Sequence, residues 1–104
     1  MFEKLSSQEA LKRLARDRVD FARFIERETF DVGLYRPDGI DTQTPHARDE
    51  VYVIANGSGA FVCGNERVTF APGDMLFVPA GDVHRFENFT SDFCAWVIFF
   101  GKRA

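Results

Sequence analysis

The 104 residues of this chain include only two cysteines, two histidines, four prolines and one tryptophan. Cys63 and Cys94 stand alone in apolar, strand-like runs. Without a CxxC or comparable spacing they exclude a cysteine-rich zinc site, and two buried free thiols are expected rather than a disulfide framework. Charge of one sign is also scarce: the formal net charge is -3. That balance argues against a nucleic-acid partner or a membrane surface. The basic residues Lys12, Arg13, Arg16, Arg18 and Arg23 are interleaved with Glu9, Asp17 and Asp20, the pattern of a solvated helix face. No apolar run approaches the ~18 residues that a membrane-spanning helix needs. Met1-Phe2-Glu3-Lys4 has no hydrophobic signal core, so a cytoplasmic location is expected. Linkers, low-complexity segments and internal repeats are missing too, and the length suits one domain, 1–104.

What the chain does have is phenylalanine, 12 residues of it, and strand signals at short intervals. Residues 7–16 read as a short helix, with Ser6 or Ser7 as N-cap, Glu9 in capping-box position, and a narrow stripe of Leu11, Leu14 and Ala15. Val19, Phe21 and Phe24 suggest a first strand, with a helix continuing to Phe24 as the rival. Phe30, Val32 and Leu34 alternate with polar or small residues as a half-buried strand would. Further strands are predicted over 50–55, 60–63, 67–70 and 75–78, with 83–89 and 93–100 as a final hairpin. Turn signals lie between them at Arg36-Pro37-Asp38-Gly39, Gly64-Asn65, Ala71-Pro72-Gly73-Asp74 and Pro79-Ala80-Gly81-Asp82. Strands at this spacing indicate an all-β sandwich or barrel. Here the barrel core would span residues 29–101, behind an N-terminal helical segment over 1–18. Trp96, Ile98 and Phe100 share one face of the last strand, and the pattern does not say which face is inside.

The two histidines carry the chemical signal. One stands in Pro45-His46-Ala47-Arg48-Asp49-Glu50. The other stands in Gly73-x5-Pro79-x-Gly81-x2-His84-x3-Asn88. Two imidazoles and one carboxylate suit Fe(II), Mn(II), Zn or Ni, and on one face of an open site they form the ligand set of many non-haem iron enzymes. In a straight strand His46 and Glu50 would share a face but lie ~13 Å apart. Metal–ligand bonds are ~2 Å, so Ala47-Arg48-Asp49 must bend if one ion is to reach both. His84, Phe86 and Asn88 are expected on one face, and Glu50, Tyr52 and Ile54 on another.

At these residues the sequence resembles the cupin superfamily. Gly73, Pro79, Gly81, His84 and Asn88 match every position of the family's second motif. His46, Glu50 and Gly57 match the second histidine, the glutamate and the closing glycine of its first motif. Thr44 stands where the family has its first metal histidine, and Gly39 falls one residue from the expected opening glycine. The resemblance covers roughly residues 29–101. It implies a jelly-roll double-stranded β-barrel, RmlC-like, with a divalent metal (Fe, Mn, Zn or Ni) held by His46, Glu50 and His84. Gln43 or Thr44 is a candidate weak fourth ligand. Arg48 or Tyr52 is a candidate for orienting an anionic substrate, and Phe86, like Tyr52, for core or pocket wall. Asn88 is expected to be structural, and Gly73, Pro79 and Gly81 to turn the chain so that His84 points inward.

Three functions follow as expectations from that likeness. One is a metal-dependent oxygenase, isomerase or lyase acting on a small polar molecule. Another is a non-enzymatic binding or sensing module. The third is a metal-free, sugar-type isomerase or epimerase working through a histidine and a tyrosine. A homodimer is also expected, formed when the segment around 19–26 joins a partner's sheet.

Overall fold

The computed structural model describes residues 2–101. Helix α1, Ser7–Asp17, starts where the Ser6 side chain accepts the Glu9 amide at 3.1 Å. It ends at Arg18, which takes the left-handed conformation with φ 55° and hands the chain to an extended segment. The helix therefore does not run on to Phe24. Its docked face holds Ala10, Leu14 and, partly, Leu11, packed on Leu34, Cys94 and Trp96. Ala15, expected in that stripe, is exposed, because the helix rolls its small Ala10 against the sheet instead.

Eight strands follow among the described residues: β1 Phe21–Glu26, β2 Phe30–Tyr35, β3 Asp49–Asn56, β4 Gly59–Cys63, β5 Glu66–Phe70, β6 Met75–Val78, β7 His84–Glu87 and β8 Cys94–Phe100. They form a five-stranded antiparallel sheet in the order β1-β2-β8-β3-β6 and a three-stranded one in the order β5-β4-β7. The two sheets close on an aromatic core, the jelly-roll arrangement. Phe86 is its hub, with ring centroids 4.7 Å from Phe93, 4.8 Å from Phe61, 4.9 Å from Tyr52 and 5.5 Å from Phe70. Such ring pairs add about 0.5–1.5 kcal/mol each beyond the area they bury, which explains how a short chain rich in phenylalanine sustains a barrel.

Several sequence expectations change here. The β1 segment belongs to the barrel and pairs with β2 of its own chain, from Phe21↔Tyr35 to Glu26↔Asp31, so the sheet begins before residue 29. The expected final hairpin is not one: β7 pairs with β4, while β8 pairs with β2 and β3 in the other sheet. The link between them is set by Asn88, exposed and at φ 50°, and by Thr90, whose amide donates to Ser58 O and whose hydroxyl accepts the Ser58 amide. Asn88 thus ends the strand rather than sharing the inward face with His84 and Phe86. Trp96, Ile98 and Phe100 turn outward, and Ala95, Val97 and Phe99 inward. Cys94 is buried, but Cys63, at the end of β4, is only half-buried; both thiols are free. No helix among the described residues is long and apolar enough to cross a membrane.

Gly57 shows why the motif glycines recur at turns. Its φ is +82°, and an added Cβ would lie 2.6 Å from both Phe93 Cα and Thr90 Oγ1. Gly73, at φ +93°, has open space around it. Both alanine substitutions carry the backbone penalty, but only the first also meets fixed backbone. Chemical denaturation is therefore expected to show Gly57→Ala less stable than Gly73→Ala by about 1–3 kcal/mol. Equal losses would contradict this packing.

Candidate metal centre

Glu50 is the first inward-facing residue of β3, with Tyr52 and Ile54 below it on the same face. His46 lies just ahead of the strand. Because β3 begins at Asp49, the chain is free to bend over 47–48, and His46 Nε2 comes to 3.9 Å from Glu50 Oε2 instead of a two-pleat separation away. His84 opens β7 and approaches from the opposite sheet. The turn ahead of it is pinned to the His46 segment by two hydrogen bonds: the Gly81 amide donates to His46 O at 2.8 Å, and the Ala80 amide to Asp49 Oδ1 at 2.8 Å. Residues far apart in the chain thus meet because the two turns that carry them are joined directly.

His84 Nδ1 donates to the carbonyl of Asp82 at 2.9 Å. A carbonyl only accepts, so Nδ1 carries a proton and Nε2 faces the interior. His84 Nε2 lies 3.0 Å from Glu50 Oε1, and both side chains are 1% exposed. Even so, neither Glu50 oxygen has a hydrogen-bond partner among the described residues. One donor atom each from His46, Glu50 and His84 lies within 4.8 Å of the others. Ligand distances of ~2.0–2.2 Å from one ion span such a group. A buried acid with both oxygens unsatisfied, faced by two imidazoles, is the chemistry a divalent cation completes. Burial pushes the His84 pKa down, but Glu50 and the Asp82 carbonyl push it up further, so the net shift is upward.

The neighbouring residues sort clearly. Gln43 Oε1 accepts from the Tyr52 hydroxyl at 3.0 Å and stands 3.4 Å from His46 Nε2, so its carbonyl oxygen belongs to the cluster. Thr44 is exposed and makes no hydrogen bond to the cluster. The Tyr52 oxygen also lies 3.0 Å from His84 Nε2. Burial foremost, and then the charge of Glu50, push the Tyr52 pKa up and keep it a phenol. Phe86 is core beneath Tyr52. Arg48 donates to Asp31 Oδ2 at 2.7 Å and to Gly101 O at 2.6 Å, tying the ends of β2 and β8 together.

Sequence reasoning missed Asp41. Its carboxylate accepts from the Tyr35 hydroxyl at 2.6 Å, Gln43 N at 3.1 Å, Gln43 Nε2 at 2.9 Å and the Phe86 amide at 2.8 Å. Holding Nε2 of Gln43 forces Oε1 towards Tyr52 and His46. Asp31, fully buried between Arg23 and Arg48, was missed as well.

The Cupin domain family matches residues 32–100, a stretch that contains all three donor residues and both turns that join them. The chain belongs to the cupin family. The cupin is 37% identical over 81 residues to the uncharacterized protein SCO3923 of Streptomyces coelicolor, covering 76% of this chain and 77% of that one. Its fold is similar to that of KdgF from Halomonas sp., with TM-score 0.68, 16% identity, and 80% of each chain covered. It is also similar to an RmlC-like cupin of double-stranded β-helix fold from Methanocaldococcus jannaschii, with TM-score 0.68, 14% identity, and 79% of each chain covered. At those identities the structural likeness speaks for the fold.

Asp41 gives this cupin a test of its own. Asp41→Asn keeps the shape but replaces an acceptor oxygen by an amine facing donors, and should cost about 1–3 kcal/mol in denaturant unfolding. An unchanged stability would mean that the four hydrogen bonds do not act as a unit.

Proposed function

We propose that this cupin holds one divalent metal ion with His46, Glu50 and His84 and uses it to bind and polarise a small molecule through its oxygen atoms. The observation that carries this is the buried Glu50 carboxyl group, whose two oxygens lack hydrogen bonds while two imidazoles face it. Three protein ligands leave positions open for a substrate, and the donor set suits Fe(II), Mn(II), Zn or Ni. The ion would supply Lewis-acid polarisation and a template. The chain's own groups do the rest. Glu50 offsets the charge, Asp82 O fixes the His84 tautomer, and Gln43 Oε1 offers a neutral donor. Tyr52 stays protonated and donates to Gln43. The side chain of His46, 31% exposed, marks where a ligand enters.

A metal-free proton-transfer site built on His84 and Tyr52 has their 3.0 Å approach in its favour. Against it, Tyr52 is fully buried, so a substrate could not reach the hydroxyl.

Elemental analysis of protein purified without a chelating tag decides between them: about one metal per chain is expected for a three-ligand mononuclear site. His46→Ala and His84→Ala should each lower metal affinity at least as far as the about 10–100-fold typical of removing an outer-sphere partner. Glu50→Gln should weaken it as well. Metal-free protein that refuses added Zn(II), Mn(II) or Fe(II) while keeping its circular dichroism would overturn the proposal.

Metal uptake should also depend on pH. The fold keeps His84 protonated to higher pH than a free imidazole, and a metal needs that nitrogen unprotonated. Apparent affinity should fall as pH drops through the raised value, and isothermal titration across the neutral range would measure it. An affinity independent of pH would count against His84 as a ligand.

A further inference from the structure

Beside the candidate centre lies a recess of about 120 Å³ lined by Phe21, Tyr35, Gln43, His46, Val97 and Phe99. Two of these residues, His46 and Gln43, belong to the cluster around Glu50; the other four present rings or methyl groups. The register explains the space. Gly33, Val97 and Tyr52 lie side by side across β2, β8 and β3, and the row has no side chain at Gly33. The Phe21 ring from β1 lies against that glycine, where an added Cβ would be 2.6 Å from Phe21 Cε1 and 2.5 Å from Ala22 O. Phe21 then meets Phe99 edge-on at 5.9 Å, and Phe99 meets His46 at 5.1 Å. Arg23 braces both phenylalanines, its guanidinium 5.1 Å and 5.2 Å from their ring centres.

The recess suits an apolar group better than water. A buried water needs about two to four polar partners. Here the Tyr35 hydroxyl is committed to Asp41, and the Gln43 amide to Asp41 and Tyr52. The surface facing this half-open recess is almost wholly apolar, and its size suits a short aliphatic chain or a compact ring.

We propose that the ligand of this cupin is a small amphipathic molecule, with an oxygen-donor head for the metal and an apolar tail of about three or four carbons seated in this recess. Phe21 and Val97 set the tail's length, and Gly33 positions Phe21. The proposal rests on the metal reading above, and the test separates the two.

Protein loaded with Co(II) is titrated with acetohydroxamate, butyrohydroxamate and octanohydroxamate, which share one bidentate head and differ in tail. The visible Co(II) bands report both metal occupancy and head binding. Each methylene that enters the recess should tighten binding about fourfold. Butyrohydroxamate should therefore exceed acetohydroxamate by roughly tenfold or more, with little further gain per carbon for octanohydroxamate. Val97→Phe, which fills the recess, should erase the tail effect, so that the three probes bind the Co(II)-loaded variant alike. Should that variant fail to fold, Phe21→Leu enlarges the recess and should shift the optimum to a longer tail. Normal Co(II) bands with equal affinity for all three probes would overturn the recess proposal and leave the metal reading intact. Failure to bind Co(II) would overturn both.

Discussion

A carboxyl group is buried at the mouth of this barrel without a hydrogen bond to either oxygen, and the site is organised around that fact. Glu50 is 1% exposed and sits on a strand whose remaining inward residues are Tyr52 and Ile54. Taking an acid out of water without partners costs several kcal/mol, more than a marginally stable domain gives up without function. The available compensation is cationic. His84 faces it at 3.0 Å, its pKa pushed down by burial but up further by Glu50 and the Asp82 carbonyl, and a metal ion would compensate more fully by drawing both imidazoles and the acid to one point.

The groups that meet Glu50 come from different sheets, and their meeting depends on polar links between turns rather than on the hydrophobic core. The core sets the distance between sheets through Phe86 and its ring neighbours. The Gly81–His46 and Ala80–Asp49 hydrogen bonds then lock the turn carrying His84 onto the bend carrying His46. Asp41 does the same for the loop that brings in Gln43, gathering donors from β2, from β7 and from the loop itself. Hydrogen bonds to a carboxylate are among the stronger ones, so a single residue can order a loop with no regular structure of its own.

This division explains what could be read from the sequence. The strands were legible because one inward face imposes alternation, and the motif turns because Gly57, Gly73 and Gly81 all need positive φ. The grouping of His46, Glu50 and His84 was legible through the spacing of those turns, as was the bend between the first two. Asp41 was not, because its four partners come from distant backbone and side chains that no local pattern announces. The Arg48–Asp31 pair was hidden for a similar reason: Asp31 sits on a strand pairing that the sequence does not display. The false hairpin of β7 and β8 has another origin. Two apolar runs joined by a polar loop look the same whether they pair with each other or part to opposite sheets, and the exposed, left-handed Asn88 decides it only in three dimensions.

Thr44 bears on what the centre can do. A fourth imidazole at that position would have filled one more coordination site. Instead Thr44 faces solvent, and an amide oxygen beside the cluster comes from Gln43, one residue earlier, held by Asp41 through its amide nitrogen. A neutral amide oxygen binds more weakly than an imidazole and is more easily displaced by a ligand's own oxygen donors. Gln43 also lines the recess beside Phe21 and Val97. Displacing its oxygen from a metal would therefore couple binding of a ligand's polar head to the shape of the space that receives its tail. With threonine in place of a histidine there, a metal at this site would keep a position open for a ligand that also fills the recess.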